Sequence, residues 1–261
     1  GADKYLKELV LGHIPHLEEK VESSVGFVEA SIGRMVPIMT EEKRMGNPLR
    51  VFVEPYCILP VDKEAFKGEI PQVKNLYPYA PFSLFIQRKL FMHNMSHALC
   101  AYLGYLKGYT YIYEAAGDAE IRFAAYRALA EVATALSLEN GADILPLLRY
   151  ADNLLYRFEN KALGDTIERV GRDTVRKLGP SDRLIGALKL CEKQGFSSSS
   201  VCAGIAAAML FDADEASRAL CGFVKENGVR AALSKYCGYE GQSAELIERS
   251  EISAIREAME Q

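Results

Sequence analysis

The chain has 261 residues, 49% of them hydrophobic and 25% charged, the make-up of a folded globular protein rather than a disordered one. A formal net charge of -4 argues against a general nucleic-acid binder, which needs a Lys/Arg excess to neutralise phosphates. No apolar run reaches the roughly 18–20 residues that span a bilayer and no cationic-then-apolar signal opens the chain; six cysteines without a CxxC pair read as free thiols in a reducing cytoplasm.

No initiating Met stands at the start, and "ADKYLKELVLGHIPHLEEKVESSV" reads as a helix entered part-way. From Val25 to Pro37 and from Leu49 to Val61, β-branched and aromatic residues cluster around the polar loop "TEEKRMGNP", which predicts two short antiparallel strands. After a Lys-, Gly- and Pro-rich loop from Lys63 to Pro81, apolar residues recur at three-and-four spacing. That pattern predicts helices over 82–107, 118–140, 143–157, 181–194, 198–210, 212–226, 228–235 and 242–260. Gly108 and Gly141 are placed to end helices in the left-handed conformation, Pro146 to sit in a first turn, and the serines at 197–200 to cap a helix. The small residues of "AGIAAAMLF" (203–211) suit close packing in a core. The expected architecture is mainly α with a small antiparallel β-ribbon near the N-terminus, divided into residues 1–68 and 69–261.

The segment "RKLFMHNMSHALCAYLGYLKG" (88–108) carries the chemistry. On a uniform α-helix with Lys89 at zero, His93 lies near about 40°, His97 near about 80° and Asn94 near about 140°. One arc thus holds an amine, an amide and two imidazoles between apolar flanks, the pattern of polar groups facing a partly buried cleft. Such a set suits hydride transfer between a secondary alcohol and a ketone. Desolvation can lower a lysine's pKa until it works as a general base, while donors such as Asn94 and His97 hold the developing alkoxide. His93 and His97 also have the spacing of a zinc helix, but Asn94 stands where the second position of that motif has Glu, and no third ligand presents itself.

A second segment, "RFENKALGDTIERVGRDTVRKLGPSDRL" (157–184), concentrates Arg157, Arg169, Arg172, Arg176, Lys177 and Arg183 near Asp165, Asp173 and Asp182. Guanidinium forks bind phosphate bidentately, so the cluster is read as an anchor for a phosphorylated substrate. Arg176, Lys177 and Arg183 are the leading candidates, with Asp165 and Asp173 orienting the arginines.

The spacing Lys89-x4-Asn94-x2-His97, with its flanks "RKLF…N…HA…AYLG", resembles the signature of the polyol-specific long-chain dehydrogenases and reductases, and the resemblance extends over essentially the whole chain. It implies a multi-helical C-terminal domain of the 6-phosphogluconate-dehydrogenase type and metal-independent catalysis. Lys89 would be the general acid/base, with Asn94 and His97 polarising the reacting oxygen. The string "DTIERVGRDTVRKLGPSDRL" is similar to the branch of that family acting on phosphorylated polyols. That likeness implies NAD-dependent interconversion of mannitol 1-phosphate and fructose 6-phosphate, with Arg169, Arg172, Arg176, Lys177 and Arg183 at the substrate. "VGFVEASIGRMVP" and "VEPYCILPVDKEAFKG" resemble the strands bordering the nicotinamide side of the cleft, making Arg34, Glu54 and Asp62 the cofactor-side candidates.

No G-x-G-x-x-G follows a strand. The resemblance therefore implies that NAD sits on a Rossmann domain of the same polypeptide outside this chain, and that the chain alone binds no NAD and is catalytically silent. Two rivals stand beside this reading: a relative acting on an unphosphorylated polyol or a hexuronate, and a non-catalytic sugar-phosphate-binding or helical interaction module.

Overall fold

The computed structural model describes residues 2–251. They fall into two compact units, one formed by the chain up to Val36 together with Glu41–Lys89, the other by Pro37–Thr40 and the chain from Leu90 onward.

In the N-terminal unit, helices α1 (Ala2–His13) and α2 (Glu18–Ser24) precede a long extended stretch, followed by the single turn α3 (Glu41–Arg44). Strands β1 (Leu59–Asp62) and β2 (Leu76–Tyr79) pair in parallel, Leu59 opposite Leu76. This corrects the expected antiparallel ribbon of 25–37 with 49–61, of which the described residues keep one antiparallel bridge, Ala30 to Val61. The physical reason lies in the donors and acceptors. Pro37, Pro55 and Pro60 supply no N–H to a ladder, and the Met35 N–H is taken by the buried Glu54 carboxylate at 2.5 Å. Backbone bonds between the two segments survive only locally, from Ser31 N–H to the Pro60 carbonyl at 3.0 Å, from Asp62 N–H to that of Glu29 at 2.9 Å and from Glu54 N–H to that of Met35 at 3.4 Å. Gly26 belongs to this framework, because a Cβ there would meet the Ala65 carbonyl oxygen at 2.6 Å.

A helical run begins with α4 (Ser83–Gln87), passes through a π-helical stretch at Arg88–Asn94 and continues as α5 (Met95–Leu106), in place of the uniform α-helix expected over 82–107. In the second unit, α5 is the central rod. Its residues Ala98, Leu99, Cys100, Ala101 and Tyr102 are all essentially inaccessible. Around it pack α6 (Ile112–Gly117), α7 (Ala119–Asn140), α9 (Ile167–Gly171) and α12 (Ser199–Leu210), while α8 (Ile144–Phe158) lies along α7. Close approach is written into the glycines: a Cβ on Gly104 would meet Ala115 and Ile167 at 2.7 Å, and one on Gly204 would meet Leu99 at 3.2 Å. The 203–211 stretch is core as expected, with Ile205, Ala206, Ala208, Met209 and Phe211 inaccessible.

The stops follow local chemistry. Asp118 caps α7 by accepting from Glu120 and Ile121 N–H, both at 3.0 Å, and Asp143 caps α8 through Leu145 N–H. Gly141 ends α7 in the left-handed region, and Ser198 caps α12 through Val201 N–H at 3.1 Å. Between α8 and α11 (Ile185–Lys193) the basic segment folds into short turns, among them α9 and α10 (Thr174–Lys177), which the periodicity did not predict. The two helices expected at 212–226 and 228–235 form α13 (Glu215–Cys237), broken at Gly228 with φ of 83°. Residues 244–251 are helical; the rest of the helix expected to 260 lies outside the described residues. No described helix is long and apolar enough to cross a membrane.

Candidate active site

The π stretch changes the spacing on which the sequence reading relied. Bonds from i to i+5 make residues five apart neighbours along the helix, where a uniform α-helix offers those three and four apart. Lys89 and Asn94, about 140° apart on an ideal α-helix, both fall within this Arg88–Asn94 stretch. His97 follows Asn94 by three residues in the first turn of α5. Lys89 is half-buried, and burial holds its pKa below the usual lysine value with no neighbouring charge contributing to the shift.

His97 lies in the helical unit with its ring stacked on Phe158, centroids 4.8 Å apart and planes 18° from parallel. Buried His93 meets both rings edge-on, at 6.3 Å from His97 and 5.9 Å from Phe158. The His97 pKa is pushed down to about 3, first by burial and then by the positive charges of Arg169, Lys177, Arg183 and Arg157. The imidazole is therefore neutral at working pH. Its Nε2 stands 3.6 Å from Asp165 Oδ2, which is not an ion pair for a neutral ring and is longer than an N–H···O hydrogen bond.

Four cations thus act on one neutral imidazole, and the segment from α8 to α11 holds them. Arg157 is buried at the end of α8 beside Phe158. Arg169, on α9, donates to Asp165, itself 8% exposed. Burial and the adjacent charge of Arg172 depress the proton affinity of Arg169. Lys177 is 5% exposed and donates to the carbonyls of Val170 and Arg172. Its pKa is pushed down to about 8, chiefly by burial and then by Arg183 and Arg176. Arg183 is largely buried, bonded through Nε to Asp182 at 2.9 Å.

The structure therefore divides the expected substrate set. Arg169, Lys177 and Arg183 are close enough to His97 to shift its proton affinity. Arg172 is exposed, and Arg176, also exposed, is tied to Asp173 at 3.0 Å and Asp182 at 3.5 Å. Phe158 is a feature the sequence reading missed; only its place beside Arg157 at the close of an apolar helical stripe could have pointed to it. The cofactor-side candidates lie in the N-terminal unit and bind its own backbone. Arg34 Nε donates to the Glu54 carbonyl at 3.0 Å, the Glu54 carboxylate accepts from Met35 N–H, and the Asp62 carboxylate accepts from Glu64 N–H at 3.0 Å. Among the described residues, no three His, Cys, Asp or Glu side chains gather as a metal would require.

A helical scaffold around a central rod, preceded by a unit with a two-stranded sheet, is the architecture of the matching part of a polyol dehydrogenase. The structure of mannitol 2-dehydrogenase from Pseudomonas fluorescens, solved with NAD and D-mannitol, superimposes with a TM-score of 0.70 at 18% identity, over 99% of this chain and 59% of that one. Residues 82–252 match the mannitol dehydrogenase C-terminal domain, and the chain belongs to that family. It is 38% identical over 229 residues to mannitol-1-phosphate 5-dehydrogenase from Caldanaerobacter subterraneus, covering 87% of this chain and 58% of that protein. It is 37% identical over 241 residues to the Clostridium acetobutylicum enzyme of the same name, covering 89% and 61%. The chain thus spans about three fifths of the length of these curated relatives.

Proposed function

We propose that the chain is the substrate-binding and catalytic part of an NAD-dependent dehydrogenase that interconverts mannitol 1-phosphate and fructose 6-phosphate. The observation that carries the proposal is the gathering of four cations, Arg157, Arg169, Lys177 and Arg183, whose charge lowers the proton affinity of His97. Such an excess of positive charge calls for an anionic substrate, and a phosphate monoester with close to two negative charges at neutral pH meets it. The relatives named for mannitol 1-phosphate support the same substrate.

In this reading Lys89 takes the proton of the substrate hydroxyl during alcohol oxidation and returns it to the carbonyl oxygen during reduction. Burial brings its pKa toward the working range, where an amine serves as both base and acid. Asn94 and the neutral His97 each offer an N–H to the oxygen on which charge develops, a contribution of about 3 kcal/mol per donor in comparable sites. The charge of Arg169, Lys177 and Arg183 holds the phosphate. No metal takes part.

NAD, when bound, supplies the hydride acceptor. Among the described residues no strand leads through a Gly-rich turn into a helix: β1 and β2 are joined by a loop without a helix, unlike the turn that seats a pyrophosphate in a Rossmann unit. In this reading the dinucleotide is bound chiefly by a Rossmann domain of the full-length enzyme. The test is NADH oxidation by that full-length enzyme with fructose 6-phosphate and with fructose, alongside Lys89→Ala. Activity with the phosphorylated sugar alone, abolished by the substitution, is expected. Equal activity with fructose would defeat the substrate assignment.

A further inference from the structure

We propose that Asp165 is a positioning residue of this site, holding the Arg169 guanidinium in place for the substrate. The inference rests on reading Arg169 as a substrate-binding cation. One oxygen of the 8%-exposed Asp165 carboxylate accepts from Arg169 Nη2, and the other faces His97 Nε2 at 3.6 Å. The carboxylate therefore stands between the two groups assigned to bind substrate and to polarise its reacting oxygen.

Its own placement is fixed by the backbone. The Asp165 carbonyl accepts from Ile112 N–H at 2.9 Å, Ile167 N–H donates to the Thr110 carbonyl at 2.9 Å, and Tyr111 bridges Thr166. The next residue, Thr166, caps α9 by accepting from the backbone N–H of Arg169 at 3.3 Å. Consecutive residues thus secure both the main chain and the guanidinium of Arg169.

That restraint has an electrostatic purpose. Arg169 is crowded by Arg172, and it shares with Lys177 and Arg183 the neighbourhood of His97. Without a fixed counter-charge, mutual repulsion favours an arginine swung out into water. Asp165 engages one arm of a group that has five donors. Arg169 Nε is buried with no hydrogen-bond partner, while the side chain as a whole is 36% exposed. The geometry leaves donors for a substrate oxyanion while the fork is held.

The experiment is a double-mutant cycle in the full-length enzyme, with Asp165→Asn, Arg169→Gln and the pair, read as kcat and KM for fructose 6-phosphate. Asp165→Asn is expected to raise KM about tenfold or more, the loss of one charge-assisted contact, with a smaller change in kcat. The double variant should be no worse than Arg169→Gln alone, because one residue acts through the other. Losses that multiply, or an unchanged KM in Asp165→Asn beside a raised KM in Arg169→Gln, would overturn the role of Asp165 and leave the substrate assignment standing. An unchanged KM in Arg169→Gln would overturn the reading of Arg169 itself. Should Asp165→Asn fail to fold, Asp165→Ser takes its place in the cycle with the same deciding outcomes.

Discussion

The two units of this chain are held together by different physics. In the helical unit, Leu99, Tyr102, Leu129, Leu136 and Leu154 are fully inaccessible, so hydrophobic burial dominates. In the N-terminal unit the most buried apolar side chain is Val61 at 4%, and Ile32, Val51, Phe52 and Ile58 are exposed. Order there comes from a small aromatic cluster of Tyr77, Tyr79, Phe82 and Phe85 together with polar struts such as Met35 N–H to the Glu54 carboxylate and Arg34 to the Glu54 carbonyl. A periodic apolar pattern announces the first kind of order in a sequence, whereas the second depends on which donor finds which acceptor. Lys89 closes the N-terminal unit, and the rest of the proposed chemistry stands on the well-packed one.

The largest effect expected concerns chemistry and should leave both kinds of order intact. Lys89→Ala in the full-length enzyme is expected to lower kcat for fructose 6-phosphate reduction by about 10²–10⁴-fold, the contribution of a general acid/base. The midpoint of urea unfolding should stay unchanged, and a matching loss of stability would recast Lys89 as structural.

Packing comes next in size. Leu136→Ala, at an inaccessible position of α7, is expected to cost about 2–5 kcal/mol in urea unfolding followed by circular dichroism. In the N-terminal unit the sensitive position should be polar. Glu54→Ala strips the Met35 N–H of its acceptor and is expected to cost about 1–3 kcal/mol. If Glu54→Ala is neutral, the contrast between the units collapses.

The smallest effect is a pH dependence. Lys177 titrates at about 8: below that pH it is charged and draws the phosphate, and above it the ammonium is lost. The affinity of the full-length enzyme for mannitol 1-phosphate, measured by calorimetry, should therefore fall about three- to tenfold between pH 7.5 and 9.5, the scale of one charged contact. In Lys177→Met that fall should be absent and the affinity low throughout.

The sequence carried the helical half well, because apolar spacing and punctuation such as Gly141 and Ser198 act locally. It misjudged the β structure, since strand pairing is set by distant partners and Pro60 withholds a donor where the ribbon needed one. The π stretch at Arg88–Asn94 was invisible to a uniform 3.6-residue period, although its Lys89 and Asn94 were chosen from their chemistry and the family resemblance. Within the basic segment, charge alone could not separate Arg176, tied to Asp173 and Asp182 on the surface, from the buried Lys177. Sorting them required the turns between α8 and α11, which have no periodic signature.

The most direct test of the central claim compares kcat/KM for fructose 6-phosphate with that for fructose, in the full-length enzyme and in its Arg183→Gln variant. If the cations around His97 read the phosphate, the native enzyme prefers the phosphorylated sugar by at least about 100-fold, and the variant loses about tenfold or more of that preference. A preference that is small in the native enzyme, or untouched by the substitution, would contradict the account.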